Sequence, residues 1–321
     1  MSTPLAVRRP STVLRVWGRD PVKMLHGLAT ADIGMVSPDR AVYTAFLTPK
    51  GRMVADGLVL LSPGAEPPEL LLATDPAAAP GLLDHLRKFV PPLFARFEDV
   101  SAAWSVVGVY GTGASAAAEA GLGAAGVEAT LSPDLPEDVV GARSPEPPAL
   151  AVRSAVTGAD GWDLYVPADR AAAVESALEA AGARAGGEED LEPLRIAAGR
   201  PRWGAELTDS VIPLEAGLLG RAISQTKGCY TGQEVIVRIL HRGHVNRQLR
   251  ALSFRGPAPP RGTELFEPGS DRPRGVVTSA AALPGGSGGA GLGYVRREVE
   301  PPAELRAGSP DGAPVRVTAL P

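Results

Sequence analysis

The sequence predicts an α+β fold that closes with a small β-barrel. Three observations carry this expectation. Strand-like runs, one pair of them joined as a hairpin, precede the first long helical run instead of alternating with helices, which points to a mixed or antiparallel sheet and away from a doubly wound parallel one. Ala- and Glu-rich segments in the middle of the chain supply further helices. Beyond residue 248 only short apolar runs remain, separated by Pro- and Gly-rich turns, the pattern of a small closed barrel. With 321 residues the chain is long enough for a sizeable core and two or three domains.

In chain order, residues 12–17 read as a strand stopped by Gly18. Asp20 and Pro21 have the types of an N-cap and a first helical position, opening a short helix through Val22, Met24, Leu25 and Leu28. Residues 41–47 and 53–61 form the hairpin, with Thr48-Pro49-Lys50-Gly51-Arg52 as its turn. A strand at 70–73, a helix from Asp75 to Phe89, an extended segment ending near Val100 and a strand at 104–110 follow. The stretch 111–148 turns Ala/Gly-rich and then Pro/Glu-rich; 115–120 is helix-forming, 144–148 reads as an exposed connection, and little chemistry is expected there. Strands at 150–155 and 162–166 pair across a turn at 158–161, and helices cover 169–183 and 191–199, the second entered after Glu188-Glu189-Asp190. The barrel strands are expected at 249–254, 264–266, 275–279, 291–295 and 315–320, with a glycine-rich turn at 285–289. This divides the chain into a body, 1–247, of two interleaved subdomains, and a barrel, 248–321.

Composition narrows the function. A single cysteine excludes an intramolecular disulfide, and neither a Cys-x-x-Cys pair nor a His-Glu-x-x-His helix is present to hold a metal, so a reducing cytoplasm is the expected setting. Residues 1–10 carry Arg8 and Arg9 but no apolar h-region, and no run reaches membrane-spanning length, so neither export nor a membrane is expected. The net charge of −4 argues against a general nucleic-acid binder. Arg238, Arg242, Arg247 and Arg250, with His241 and His244, nevertheless crowd one segment and suggest an anionic ligand or partner, or else a solvated helix end.

The stretch 227–234, Lys-Gly-Cys-Tyr-Thr-Gly-Gln-Glu, is the candidate site. Thr231 and Glu234 have capping-box spacing ahead of an apolar run, predicting a helix start. Cys229 then lies just upstream of a helix N-terminus and beside Lys227, both of which favour a thiolate. The competing reading makes Cys229 a small buried hydrophobe in a glycine-shaped turn. Glu206 and Arg195 are read as an internal ion pair.

These eight residues resemble the signature of YgfZ-type folate-binding proteins, relatives of the glycine-cleavage T-protein (aminomethyltransferase). Leu25-His26-Gly27-Leu28-Ala29-Thr30-Ala31-Asp32, Leu47-Thr48-Pro49-Lys50-Gly51-Arg52, Gly161-Trp162-Asp163-Leu164, Leu194-Arg195-Ile196-Ala197-Ala198-Gly199, Gly204-Ala205-Glu206 and Pro213-Leu214-Glu215-Ala216-Gly217-Leu218 are similar to further blocks of that family. Only 111–148 lacks such landmarks.

The resemblance implies three domains around a central folate pocket with a C-terminal barrel. It implies a tetrahydrofolate-binding protein that supports iron–sulfur cluster assembly or repair, with folate and iron–sulfur client or assembly proteins as partners. Cys229 would be the working thiol, Lys227 would stabilise its thiolate or contact an anion, and Tyr230 would position it. Asp163 and Glu215 are candidates for the pterin edge and Arg238 for an anionic group; Gln233 joins them as a candidate cofactor contact or serves the helix start. The alternatives are aminomethyl transfer to tetrahydrofolate and a folate-responsive binding protein in which 227–234 is structural throughout.

Overall fold

The computed structural model describes residues 3–283 and 288–321. The expected turn at 285–289 falls largely outside them.

Two sheets are packed face to face. The first runs in the order Arg184–Gly186, Leu5–Arg9, Trp104–Tyr110, Gly161–Pro167, Pro148–Arg153 and Val140–Pro145, with its one parallel pair between Leu5–Arg9 and the edge strand Arg184–Gly186. The second runs Val42–Leu47, Met53–Leu61, Leu70–Thr74, Thr12–Trp17 and Arg96–Asp99, antiparallel throughout. Leu60, Leu71 and Val13 of one sheet meet Val106, Leu150 and Val152 of the other in a shared apolar layer. Helices Ala114–Ala124 and Ala171–Ala180 cover the outer face of the first sheet, while Pro21–His26 and Ala79–Phe89 cover that of the second. With both faces covered, a central strand is fully buried and largely apolar, as Leu70–Thr74 is up to its last residue.

The α+β class and the barrel hold. Six strands close on themselves in the order Arg247–Arg255, Gly288–Arg296, Pro273–Ala282, Glu264–Phe266, Ala303–Ala307 and Ala313–Thr318. Leu252, Leu265, Val277, Leu305 and Val317 fill the interior. Asp20 caps its helix as expected, accepting from the Lys23 N–H at 3.2 Å, with Pro21 at the first position.

Several expectations are corrected. Residues 5–9 form a further strand, whose apolar triplet is short and followed by two arginines and so carries little strand signal. Residues 144–148 are a connection exposed at Pro145 and Glu146, and it is the tip of a hairpin closed by the pair Pro145↔Pro148; Pro145 ends an edge strand and Pro148 is the first residue of its own. The helix expected from Asp75 begins at Ala79, Asp75 instead accepting from the Ala77 N–H in a turn. Glu188, Glu189 and Asp190 are the first turn of the helix Glu188–Ala197, not its approach, and negative charge suits that end. The barrel also contains the unforeseen strand Ala303–Ala307.

Candidate functional site

Between the sheets lies a cavity of about 540 Å³, within the range of small-molecule sites. Its wall is rich in charge: Asp56, Asp138 and Asp163 face a set of arginines that includes Arg9, Arg153, Arg200 and Arg221.

Asp56 sits on the strand Met53–Leu61, where side chains alternate between full and partial burial, and it takes one of the cavity-facing positions. Tyr43, from the neighbouring strand, donates its hydroxyl to Oδ2 at 2.8 Å, while Oδ1 is buried without a hydrogen-bond partner. Burial raises the Asp56 pKa to about 6, opposed by the Tyr43 hydrogen bond. The Arg221 guanidinium lies 4.6 Å from the centre of the Tyr43 ring.

Asp163, expected at the site, does line the cavity. Tyr110 donates to its Oδ1, and Arg9 Nη1 is 3.8 Å from the same oxygen and 2.8 Å from the Tyr110 hydroxyl. The opposite edge of Arg9 reaches Glu188 at 3.0 Å. Burial works against the Arg9 charge, but Tyr110, Asp163 and Glu188 outweigh it and hold its pKa above the usual value. Asp163 is therefore oriented by one hydrogen bond, from Tyr110, with the Arg9 guanidinium alongside.

The stretch 227–234 forms a separate centre in which three of the sequence motifs meet. Lys227 Nζ donates to the carbonyl oxygens of His26 at 2.5 Å, Ala29 at 2.8 Å and Ala31 at 3.0 Å, and lies 5.1 Å from the centre of the Tyr230 ring. Burial lowers the Lys227 pKa to about 8, opposed by Asp32. Burial raises that of Tyr230 to about 12. The Thr231 N–H donates to Gly27 O and the Ser224 N–H to Thr30 O, so residues 25–32 clamp the loop along its length. Cys229 is exposed, which removes the buried-hydrophobe reading.

The helix is there, Gln233–Arg242, but the Thr231–Glu234 capping box is not formed. Gly232 is the N-cap, at φ +84°, and a Cβ on it would lie 2.6 Å from Thr48 O. The tip of the 47–52 hairpin presses against the turn, and a left-handed glycine is what fits there. Gly51 answers from the hairpin side, where a Cβ would lie 2.8 Å from the Val235 side chain.

Glu215, Arg238 and Gln233 stand away from the cavity wall. Glu215 accepts from the Ile212 N–H at 3.1 Å and pairs with Arg247 at 3.2 Å. Arg238 is exposed on the helix that Gln233 opens. Arg238, His241, Arg242 and His244 remain at the surface, whereas Arg247 is half-buried against Tyr294, so the basic segment is only partly one patch. Glu206 and Arg195 form the expected buried pair at 3.0 Å, and Glu206 also accepts from the barrel residue Ser279 at 2.6 Å.

Asp56 and Asp138 were not singled out from the sequence. Asp56 had a signal, being the one acid in the otherwise apolar run Met53–Leu61. Asp138 had none; it comes from the stretch where little chemistry was expected, and only the folded chain carries it to the cavity.

The family described as the GCVT N-terminal domain matches residues 11–227. The chain belongs to that family. Among curated members of this T-protein superfamily, it is 27% identical to the "Iron-sulfur cluster assembly factor IBA57 homolog, mitochondrial" of Mycosarcoma maydis over 80% of this chain, spanning only 59% of that relative's length. It is 28% identical to the aminomethyltransferase of Thermus thermophilus over 94% of this chain and 84% of the relative. The GCVT-family fold extends across the barrel as well: the crystal structure of the glycine cleavage system aminomethyltransferase T from Bartonella henselae superposes with a TM-score of 0.81 at 20% identity, covering 99% of this chain and 86% of that one.

Proposed function

We propose that this GCVT-family chain binds tetrahydrofolate in the intersheet cavity and supports the assembly or repair of iron–sulfur clusters in other proteins, with Cys229 as its working thiol. The observation that carries this reading is the presentation of Cys229: an exposed thiol on a loop that Lys227 fastens to three carbonyl groups. A thiol for exchange with a partner has to be accessible and held, and this one is both. Lys227 acts by holding the loop, and Tyr230, buried beneath its ammonium, packs the same turn. One thiolate cannot hold a cluster alone, so iron would be shared with a partner or a small thiol. The similarity to an iron–sulfur assembly factor points the same way.

The cavity suits a folate. Its carboxylates can accept from the donor-rich edge of a pterin, and its arginines can meet the anionic glutamate tail. Bound there, tetrahydrofolate would supply a nitrogen able to carry a one-carbon unit. Asp163 would orient one end of the ligand.

Substituting Cys229→Ala should abolish support of iron–sulfur enzymes in cells lacking the protein, with the melting temperature and tetrahydrofolate binding unchanged. Full complementation by that variant would sink the proposal.

A second reading, aminomethyl transfer to tetrahydrofolate, is favoured by Asp56, a cavity carboxylate whose pKa near 6 suits holding and releasing a proton. Turnover of an aminomethylated lipoyl carrier protein, lost in Asp56→Asn, would promote it; absence of turnover in the wild type would dismiss it.

A further inference from the structure

Asp138 is held in an unusual way. It is the only non-glycine residue among those described with a positive φ, +67°, a conformation that costs on the order of 1 kcal/mol for a residue other than glycine and is least unfavourable for Asn and Asp. The surrounding structure over-determines it: its N–H donates to Arg153 O at 3.0 Å in the first sheet, and its carbonyl accepts from the Ala41 N–H at 2.9 Å at the entry to the second. The residue thus bridges the two sheets at the cavity wall.

Its carboxylate is left without a neutralising contact. Arg221 and Arg200 are the cations whose charge acts on it most strongly, and both are taken by the preceding residue: Glu137 Oε1 binds Arg221 at 2.8 Å, and Oε2 binds Arg200 at 3.0 Å. The charged and titratable groups acting on Asp138 are Glu137, Arg221, Arg200 and Arg40, with Tyr43 and Tyr165 across the cavity. None of them hydrogen-bonds the carboxylate among the described residues. A strained backbone therefore aims an unpaired acid into a space sized for a ligand.

We infer that Asp138 is a ligand-binding carboxylate of the intersheet cavity, accepting a hydrogen bond from an N–H of a bound nitrogen heterocycle. The inference deepens the proposed folate reading and rests on it. Burial, then repulsion from Glu137, places the Asp138 pKa at about 6 in the free protein, against the pull of the three arginines. The ionised carboxylate is the stronger acceptor, so this contact is strongest above that value and weakens as pH falls through it.

The test is calorimetric titration of the full chain with tetrahydrofolate, oxygen-free, at pH 7.5 and 5.5. Asp138→Asn keeps the backbone preference and the shape while removing the charge, and Asp138→Gly removes the side chain while relieving φ. Both variants should melt no lower than the wild type, since one removes a buried charge and the other relieves the backbone. Both should bind tetrahydrofolate about tenfold or more weakly at pH 7.5, the loss expected for a charged hydrogen bond. The ratio of affinities between pH 7.5 and 5.5 should shrink in both without vanishing, because Asp56 titrates in the same range. Wild-type affinity and pH ratio in Asp138→Asn would overturn the inference and leave the folate reading standing. A wild type that takes up no tetrahydrofolate would overturn both.

Discussion

Tyr43 donates to one oxygen of Asp56 at 2.8 Å and leaves the other, Oδ1, buried with no hydrogen-bond partner. A half-satisfied buried carboxylate destabilises the fold when it is charged. Its folded pKa of about 6 lies above the ordinary 3.8, so the folded state binds the proton more tightly than the unfolded chain. The favourable contribution is complete below about 3.8 and is lost as pH rises through 6, at no more than about 1.4 kcal/mol per pH unit between the two values. Asp56→Asn, which cannot ionise, should be the more stable protein at pH 8, with an advantage over the wild type that shrinks toward pH 4.5. Urea denaturation at the two pH values reads this; an advantage independent of pH would refute the burial argument.

Lys227→Met should cost about 2–3 kcal/mol, since three carbonyl groups lose a charged donor and the stem alone is kept. Hydrogen exchange should quicken first at Thr231 and Ser224, whose N–H groups are bonded to the same 25–32 segment. Protection unchanged at both amides would mean that Lys227 does not hold the loop.

Gly232→Ala and Gly228→Ala should separate sharply. The first forces a Cβ to 2.6 Å from Thr48 O at a left-handed φ, and a loss of at least about 1–2 kcal/mol is expected. The second has open space around it and ordinary backbone angles, so its stability should match the wild type. Equal melting temperatures for the two variants would refute the hairpin contact.

Glu206→Ala should be the most damaging of the five changes, at about 3–5 kcal/mol. It leaves Arg195 buried with one fewer carboxylate and removes the acceptor for the Ser279 hydroxyl, leaving Arg195 as that residue's remaining partner across to the barrel. A cost below 1 kcal/mol in urea titration would show that the barrel docks without this pair.

Local pattern was enough for most elements and for the motif at 227–234. Asp20-Pro21 wrote its own helix start, the Lys50-Gly51 turn its hairpin, and the spaced short strands their barrel, because each depends on neighbours in sequence. The buried pair Arg195–Glu206 was also legible, since both residues belong to recognisable blocks close along the chain. The α+β class and family followed from these local signals.

Tertiary structure decided where the chemistry is gathered. Asp56, Asp138 and Asp163 lie on segments far apart in sequence and share a wall only because two sheets stack. Glu215, Arg238 and Gln233 lie outside that wall, where packing pairs Glu215 with Arg247 and leaves Arg238 exposed. The same holds at the motif: Thr231 and Glu234 had the spacing of a capping box, yet the approach of Thr48 from a hairpin more than 180 positions away required a left-handed glycine at the cap. Residue types and spacing specify what a segment can do locally; which groups lose water together, and so which acids titrate near pH 6, is set by contacts between segments that no local pattern encodes.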